Sequence, residues 1–261
     1  MAQAEGLRVA GLSVQIGGLR AVSDFSFQLA PRELVGLIGP NGAGKTTVFN
    51  ALTGFCPPSA GQVLFNAVDL TNKPPHVVAQ HRLARTFQNI RLFKDLSVLD
   101  NLKIAYHNNF SYSILSGIFR TAKYKSEEKK AAQLTMEILH LVGLDTRAQS
   151  KADTLSYGEQ RKLEIARALV MRPRLLLLDE PAAGMNHRET AELVELIHKI
   201  KEDFDLTVFL IEHDMDLVMN ICERLYVLDH GTLIGEGTTK EVRQNRRVVE
   251  AYLGEDALWQ S

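Results

Sequence analysis

The chain has 261 residues, a formal net charge of -1, and 45% hydrophobic and 23% charged residues, which permits one large α/β domain or two small ones. This charge balance supplies no overall basic field, so nucleic acid is not an expected partner. No apolar run approaches the roughly 18 residues of a membrane span, and residues 1–6 lack the features of a signal peptide. We therefore expect a protein that is soluble when isolated and reaches a membrane only through a partner. Cys56 and Cys222 stand in no ligand spacing and are expected to stay reduced.

The first predicted elements are strands. Residues 7–30 alternate apolar and polar side chains around a turn at Gly17 and Gly18, which predicts an antiparallel pair. A short apolar run follows at residues 34–38, as expected for a buried parallel strand.

Directly after that strand comes a glycine-rich stretch that fits the phosphate-loop pattern G-x-x-x-x-G-K-[ST] and leads into a predicted helix. Glycines let the backbone curl and aim several N–H groups inward, and the helix adds its positive end. Lys45 would place its charge on the β- and γ-phosphates, and the Thr46 hydroxyl would bind Mg²⁺. The residues predicted to hold the nucleotide are Gly39, Pro40, Asn41, Gly42, Ala43, Gly44, Lys45, Thr46 and Thr47.

The middle of the chain changes character. Strand-like alternation at residues 61–70 and 83–87 ends at Gln88, and little of it appears before residue 155. We predict an α-helical subdomain at residues 89–170, beginning near a cap at Ser97 and inserted into a core made of residues 7–88 and 171–261. Polar residues 106–127 are interpreted as a loop followed by a solvated helix face.

The α/β pattern then returns. The predicted elements are a buried strand at 175–178, a helix capped by Asn186 and Glu189, a buried strand at 206–211, a helix near 217–221, a hairpin at 225–234, and a capping box at Thr238 and Glu241.

Several polar residues stand where the predicted parallel strands end, which is where such sheets bind ligands. Asp179 is placed to hold Mg²⁺ through water, and Glu180 to polarise an attacking water. Gln88 could contact the metal or the water, and His213 could bond a γ-phosphate and that water.

The segment Leu155-Ser156-Tyr157-Gly158-Glu159-Gln160 precedes a helix predicted at residues 161–170. Ser156 and Glu159 satisfy a capping box, a structural role that holds whatever else the segment does. A helix N-terminus is also an anion site. If the segment lies across the helical insert from Lys45, it could serve the phosphates of a second subunit.

Together these motifs resemble an ATP-binding cassette (ABC) transporter ATPase over nearly the whole chain: GPNGAGKTT at 39–47, Gln88, LSYGEQ at 155–160, LLLLDEP at 175–181 and His213. Within that family the chain resembles the ATPase of the branched-chain amino acid importers. The residues that suggest this are TVFNALTGF at 47–55, ARTFQNIRLF at 84–93, EIARALV at 164–170, DEPAAGMN at 179–186, IEHDMDLVM at 211–219 and VVEAYLG at 248–254. The stretch at 104–130 resembles an insertion that lipopolysaccharide-export ATPases lack, which favours import.

The resemblance implies an α/β fold: one P-loop NTPase ABC cassette over residues 1–261, with an antiparallel β subdomain, an inserted α-helical subdomain and a C-terminal family tail at 238–261. It implies that Glu180 is the catalytic base, His213 a switch and Gln88 a catalytic residue. Thr46, Gln88 and Asp179 would hold Mg²⁺. Residues 183–186 would meet a partner cassette, whose ATP site Ser156 and Gly158 would complete.

Three positions depart from the common family pattern. Ile16 stands where many cassettes carry an aromatic residue that stacks on adenine, so apolar contact from Ile16 and Val22 is the expected substitute. Tyr157 and Glu159 replace the commoner glycine and glutamine. Glu159 still suits a capping box, whereas Tyr157 adds bulk near the expected dimer contact.

The expected protein is therefore an ATPase, using ATP and Mg²⁺, that powers import of branched-chain or related amino acids. Its expected partners are membrane permease subunits, received by the helical subdomain and the Gln88 loop near Leu92 and Phe93, and a second ABC ATPase subunit, identical or sibling. A periplasmic or extracellular substrate-binding protein would act indirectly, and the chain would lie peripherally on the cytoplasmic face of the inner (plasma) membrane.

The alternatives are a lipopolysaccharide-type exporter, a soluble ABC ATPase acting on ribosomes or DNA, and a P-loop kinase. LSYGEQ disfavours the kinase, and the single cassette without sustained heptads disfavours the soluble class.

Overall fold

The computed structural model describes residues 6–106 and 121–252. Parts of the polar stretch at 104–130 and of the tail at 238–261 lie outside these described residues. The strands are β1 (Leu7–Ile16), β2 (Leu19–Leu29), β3 (Leu34–Ile38), β4 (Ala60–Phe65), β5 (Val68–Asp69), β6 (Leu83–Arg85), β7 (Leu175–Asp179), β8 (Thr207–Ile211), β9 (Arg224–Asp229) and β10 (Thr232–Thr238). The helices are α1 (Lys45–Leu52), α2 (Pro75–Gln80), α3 (Val98–Tyr106), α4 (Ala122–Leu141), α5 (Tyr157–Leu169), α6 (His187–Asp203), α7 (Met215–Ile221), α8 (Thr239–Gln244) and α9 (Arg246–Tyr252).

The strands form two sheets. One has four antiparallel strands in the order β2-β1-β4-β5, and the predicted pair at residues 7–30 is its β1–β2 hairpin, with Leu7 opposite Leu29. The other has six strands in the order β10-β9-β3-β8-β7-β6, parallel except for β10. Because β3, β8 and β7 are neighbours, the segments that follow their carboxyl ends meet at one edge of the sheet.

The central strands β3, β8 and β7 of the six-stranded sheet are buried on both faces, which explains why β7 is nearly all leucine. Successive side chains of a strand point to opposite faces, and the core divides in that way. Leu176 and Leu178 belong to a core cluster with α3 to α7, whereas Leu175 and Leu177 belong to one with the four-stranded sheet and α1. The central sheet is thus held between a helical layer and an antiparallel sheet.

The described residues between β6 and β7 contain α3, α4, α5 and two 3₁₀ turns. Ser97 accepts a hydrogen bond from the Asp100 amide at 3.0 Å, as predicted for a helix cap. The capping boxes at Ser156, Asn186 and Thr238 are confirmed as well. Because Ser156 is the cap, α5 begins at Tyr157, four residues before the predicted start at Arg161.

Helix α2 was not predicted; it has six residues and starts with a proline at its first position. Within residues 6–106 and 121–252, no helix has both the length and the apolar character needed to cross a bilayer.

Candidate active site

The phosphate loop joins β3 to α1 and is packed too closely for side chains at two of its glycines. A Cβ on Gly39 would lie 2.0 Å from the Leu228 carbonyl oxygen, and one on Gly44 would lie 2.5 Å from that of Ala21. Both glycines also have positive φ, 150° and 101°. The loop is therefore fixed between β9 and β2.

Lys45 starts α1 and folds back over the loop. Its Nζ donates to the carbonyl oxygens of Gly39 at 2.6 Å and Pro40 at 2.9 Å. The loop borders a cavity of about 450 Å³ whose lining includes Lys45, Thr46 and Glu180. The loop N–H groups, the start of α1 and the Lys45 ammonium give this cavity the character of a phosphate site.

The three predicted catalytic residues meet at Glu180, which lines this cavity. Gln88 Nε2 donates to Glu180 Oε2 at 2.8 Å, and His213 Nδ1 lies 3.6 Å from the same oxygen. Glu180 has a φ of +45°, a conformation unusual for a non-glycine residue and concentrated at functional sites. Its amide donates to the Ile211 carbonyl oxygen at 2.9 Å, which fixes this conformation against the end of β8.

Asp179 ends β7 with only 4% of its side chain exposed, and its Oδ2 accepts from Arg85 Nη2 at 2.7 Å. The other residues predicted to hold Mg²⁺ are Thr46, which lines the cavity, and Gln88, which donates to Glu180 of the cavity wall. One carboxylate with a hydroxyl and an amide oxygen is a hard donor set, which suits Mg²⁺ bound with water and substrate phosphates. The residues present therefore fit the metal.

The apolar residues that line the cavity differ in part from the two predicted to contact adenine, Ile16 and Val22. Ile16 lines the cavity and is 54% exposed, but Val22 has no exposed surface and cannot contact a base. Val22 pairs with Val14 on the inward face of the hairpin. Leu19, which pairs with Ile16 at the hairpin tip, lines the cavity instead and was not predicted. His230 also lines it and was missed.

Ser156 and Gly158 do not line the cavity of Lys45. They border a separate cavity of about 300 Å³, together with Met185 and Glu189. Ser156 Oγ accepts from the Glu159 amide at 3.3 Å, and Glu159 Oε2 accepts from the Ser156 amide at 2.8 Å. The cap is thus formed, at a site apart from the phosphate loop.

Comparisons with known proteins place this geometry in a family. The family model described as ABC transporter matches residues 22–183, and that described as branched-chain amino acid ATP-binding cassette transporter matches residues 232–257. The chain belongs to the ABC transporter family. The high-affinity branched-chain amino acid transport ATP-binding protein LivG of Escherichia coli (strain K12) is 45% identical over 249 residues, 95% of this chain and 98% of LivG. The lipopolysaccharide export system ATP-binding protein LptB of the same organism is 36% identical over 239 residues, 92% of this chain and 93% of LptB.

A solved structure agrees with this assignment. The crystal structure of the ADP conformation of MJ1267, an ATP-binding cassette of an ABC transporter, superposes with a TM-score of 0.84 at 32% identity, covering 97% of this chain and all of MJ1267. The predicted ABC cassette fold and the predicted family are therefore confirmed.

In this cassette a buried pair, not predicted from the sequence, fastens α5 to the loop of Gln88. Arg161 has no exposed side-chain surface; it donates to Glu164 Oε2 at 2.6 Å and to the carbonyl oxygens of Phe87 at 2.8 Å and Gln88 at 2.9 Å. Glu164 Oε1 accepts from the Phe87 amide at 3.2 Å. Burial raises the pKa of Glu164, although the Arg161 charge opposes that rise. The helix capped by Ser156 thus holds the backbone that carries Gln88.

A second buried carboxylate fixes the segment after Glu180. Glu212 Oε1 accepts from the Ala182 amide at 2.9 Å and Oε2 from the His213 amide at 3.2 Å. Burial raises the pKa of this carboxyl group. Glu212 therefore joins the segment after Glu180 to the segment that carries His213.

An aromatic groove of about 390 Å³ lies beside the Gln88 loop, lined by residues of β6, α2, α5 and the adjoining loops. Phe55 in its wall is 53% exposed and meets the ring of Phe87 edge-on at 5.7 Å. The Arg91 guanidinium lies 3.9 Å from the centre of the Phe87 ring. Nearby, Phe93 is 47% exposed beneath Arg167, whereas Leu92 is only partly exposed.

Proposed function

We propose that the chain is the ATP-hydrolysing subunit of an ABC importer that powers uptake of branched-chain or related amino acids through partner permeases. The observation that carries the catalytic part is the meeting of Gln88 and His213 at Glu180, beside the phosphate loop. The transported class rests on the similarity to LivG over 95% of the chain.

In this mechanism the loop amides and Lys45 hold the β- and γ-phosphates of ATP. Mg²⁺ would be held by Thr46, Gln88 and, through water, Asp179, and it would neutralise charge between those phosphates. Since Gln88 donates to Glu180 through Nε2, its Oε1 takes no part in that bond and would be the atom that binds the metal. Glu180 orients the attacking water and takes its proton, while His213 bonds the γ-phosphate.

Each ATP site is completed by a second cassette, identical or sibling. Ser156 and Gly158 border a cavity other than that of Lys45, so within one chain they do not serve the same phosphates. In a facing arrangement the α5 N-terminus of one cassette would bond the γ-phosphate held by its partner, and residues 183–186 would line the contact.

The aromatic groove is the proposed docking site for a permease. Its exposed ring at Phe55 and its cations at Arg91 and Arg167 suit a short amphipathic segment with an acidic residue, at the cytoplasmic face of the membrane. The groove lies between the core and the proposed helical subdomain at residues 89–170, so a permease there would move one against the other. A substrate-binding protein would act only through the permease.

Reconstitution tests the proposal. The chain would be co-expressed with candidate permease and substrate-binding proteins from its own genome, purified through a tag on the chain, and placed in proteoliposomes with the cassette facing ATP. We expect permease to co-purify and labelled leucine to accumulate only with ATP, with the Glu180→Gln complex as the inactive control. Lipopolysaccharide transfer without leucine uptake would favour the exporter alternative, which the similarity to LptB supports.

A further inference from the structure

Arg85 is a buried cation within the stretch 84–93, and the sequence predicted no role for it. It is the last residue of β6, the strand next to β7, and its Nη2 lies 2.7 Å from Asp179 Oδ2. Only 4% of either side chain is exposed, so the pair is shielded from bulk water. A buried pair is held in a fixed geometry more firmly than a surface pair, because little solvent competes for it.

The other end of the guanidinium is held by α1, the helix that begins at Lys45. Arg85 Nη1 donates to Asn50 Oδ1 at 2.8 Å and to Thr53 Oγ1 at 3.2 Å. The rings of Phe49 and Phe87 lie 5.5 and 4.9 Å from its Cζ. Arg85 thus ties the carboxylate of Asp179 to the same helix that carries Lys45 and Thr46.

We propose that Arg85 is a positioning residue for Asp179. By engaging Oδ2 it fixes the rotation of the carboxylate and leaves Oδ1 for the water shell of Mg²⁺, at a set place relative to Thr46. This inference rests on the proposed role of Asp179 at the metal. Mutating the partners of residues that bind a metal directly commonly costs 10–100-fold in affinity, and because Asp179 would act through water we expect the lower end of that range.

Arg85 could act on the metal in two opposing ways, and substitutions separate them. Its positive charge repels a nearby metal ion and so weakens metal binding. Its hydrogen bond to Asp179 orients that carboxylate and so strengthens metal binding. Arg85→Lys keeps the charge but cannot bridge Asp179 to Asn50 and Thr53 at once, because an ammonium is a point donor. Arg85→Met removes both charge and geometry.

The test measures metal binding rather than turnover. The full-length chain, saturated with a non-hydrolysable ATP analogue, is titrated with Mn²⁺ and followed by electron paramagnetic resonance. We expect Arg85→Lys and Arg85→Met each to weaken Mn²⁺ binding by about tenfold or more. Affinity for the analogue in EDTA should change by less than about twofold, since the phosphate loop is intact.

Two further variants guard against misfolding and nonspecific effects. Asn50→Ala keeps both members of the pair but removes one of the two acceptors of Nη1, and should weaken Mn²⁺ binding by a smaller factor. Arg224→Lys makes the same change in an Arg–carboxylate pair with Glu33, outside the site, and should leave Mn²⁺ affinity unchanged.

The outcomes are distinguishable. Unchanged Mn²⁺ affinity in Arg85→Lys, or tighter binding in Arg85→Met, would overturn the positioning role. Asp179→Asn serves as the reference: if it weakens Mn²⁺ while the Arg85 variants do not, this inference fails and the proposed metal role of Asp179 stands. If Asp179→Asn has no effect, both fail.

Discussion

Gln88 and Glu180 lie 92 positions apart in the sequence, and their side chains are joined by a hydrogen bond of 2.8 Å. Gln88 follows the strand that borders the aromatic groove, and its backbone is held by Arg161 of α5. The residue proposed to activate water is therefore in direct contact with a loop that borders the groove and is attached to α5. Binding at the groove or a shift of α5 would move that loop.

Replacing Glu180 by glutamine removes a proton acceptor with almost no change of shape. We expect ATP binding to persist and turnover to fall by about 10²–10⁴-fold, the usual contribution of a general base. Phosphate release and nucleotide binding would be measured in parallel, with exposed Glu195→Gln on α6 as the control. Turnover near the unmodified rate in Glu180→Gln would contradict the assignment of the base.

Complementation in homodimers of this chain tests whether each ATP site is built from residues of both subunits. Ser156→Arg and Lys45→Ala should each be inactive alone, because each loses one half of both sites. Mixed dimers retain one intact site, so an equal mixture should recover about a quarter of the activity if subunits pair at random. An inactive mixture, despite subunit exchange shown by pull-down, would contradict composite sites that act independently.

Removing one member of the buried Arg161–Glu164 pair should lower the free energy of unfolding strongly. Replacing both members by apolar residues should lower it much less. Arg161→Met leaves Glu164 buried without its partner and should lower the free energy of unfolding by about 3–5 kcal/mol. Changing both residues to methionine should restore much of that loss. Urea denaturation of Arg161→Met, Glu164→Met and the double variant provides the measurement, and additive losses would show that the pair is not energetically coupled.

Glu212 gives a prediction about pH. Burial raises its pKa above the usual 4.5, so the folded state holds the proton more firmly than the unfolded chain does. The resulting stabilisation is complete below pH 4.5 and is lost as pH rises through the raised pKa. The stability of the unmodified chain relative to Glu212→Gln should therefore decline as pH increases across that window. Thermal unfolding at a series of pH values measures it, and a flat or rising difference would contradict the shift.

The proposed role of the aromatic groove in permease binding can be tested separately from ATP hydrolysis. Phe55→Glu places a charge in the proposed permease contact and should abolish co-purification of the permease while nucleotide affinity stays the same. Leu233→Glu, which puts the same charge at another exposed apolar position, is the matched control and should retain the complex. Loss of permease in both variants would point to general instability.

Local patterns sufficed to predict much of this fold. The apolar run before Gly39 and the leucines before Asp179 predicted parallel strands, because both faces of those strands are buried. The caps at Ser97, Ser156 and Asn186 were predictable because a capping box depends only on neighbours in sequence.

The missed features depend on which strands and helices become neighbours. Arg85 reaches Asp179 only because β6 pairs with β7, and nothing near Arg85 in the sequence indicates that. Arg161 was missed because a charged residue in a helix is usually exposed. Val22 was misplaced since register shifts between β1 and β2 decide which side chains face the cavity, and those shifts do not appear in simple alternation.

The way Lys45 folds over its own loop bears on the thermodynamics of nucleotide binding. Its ammonium already bonds two loop carbonyls, and tight contacts at Gly39 and Gly44 hold the backbone curled. An arriving phosphate therefore meets donors that are already converged and mainly exchanges one set of acceptors for another. Little chain entropy remains to be lost at the loop, so calorimetry should find a small entropic penalty for this step.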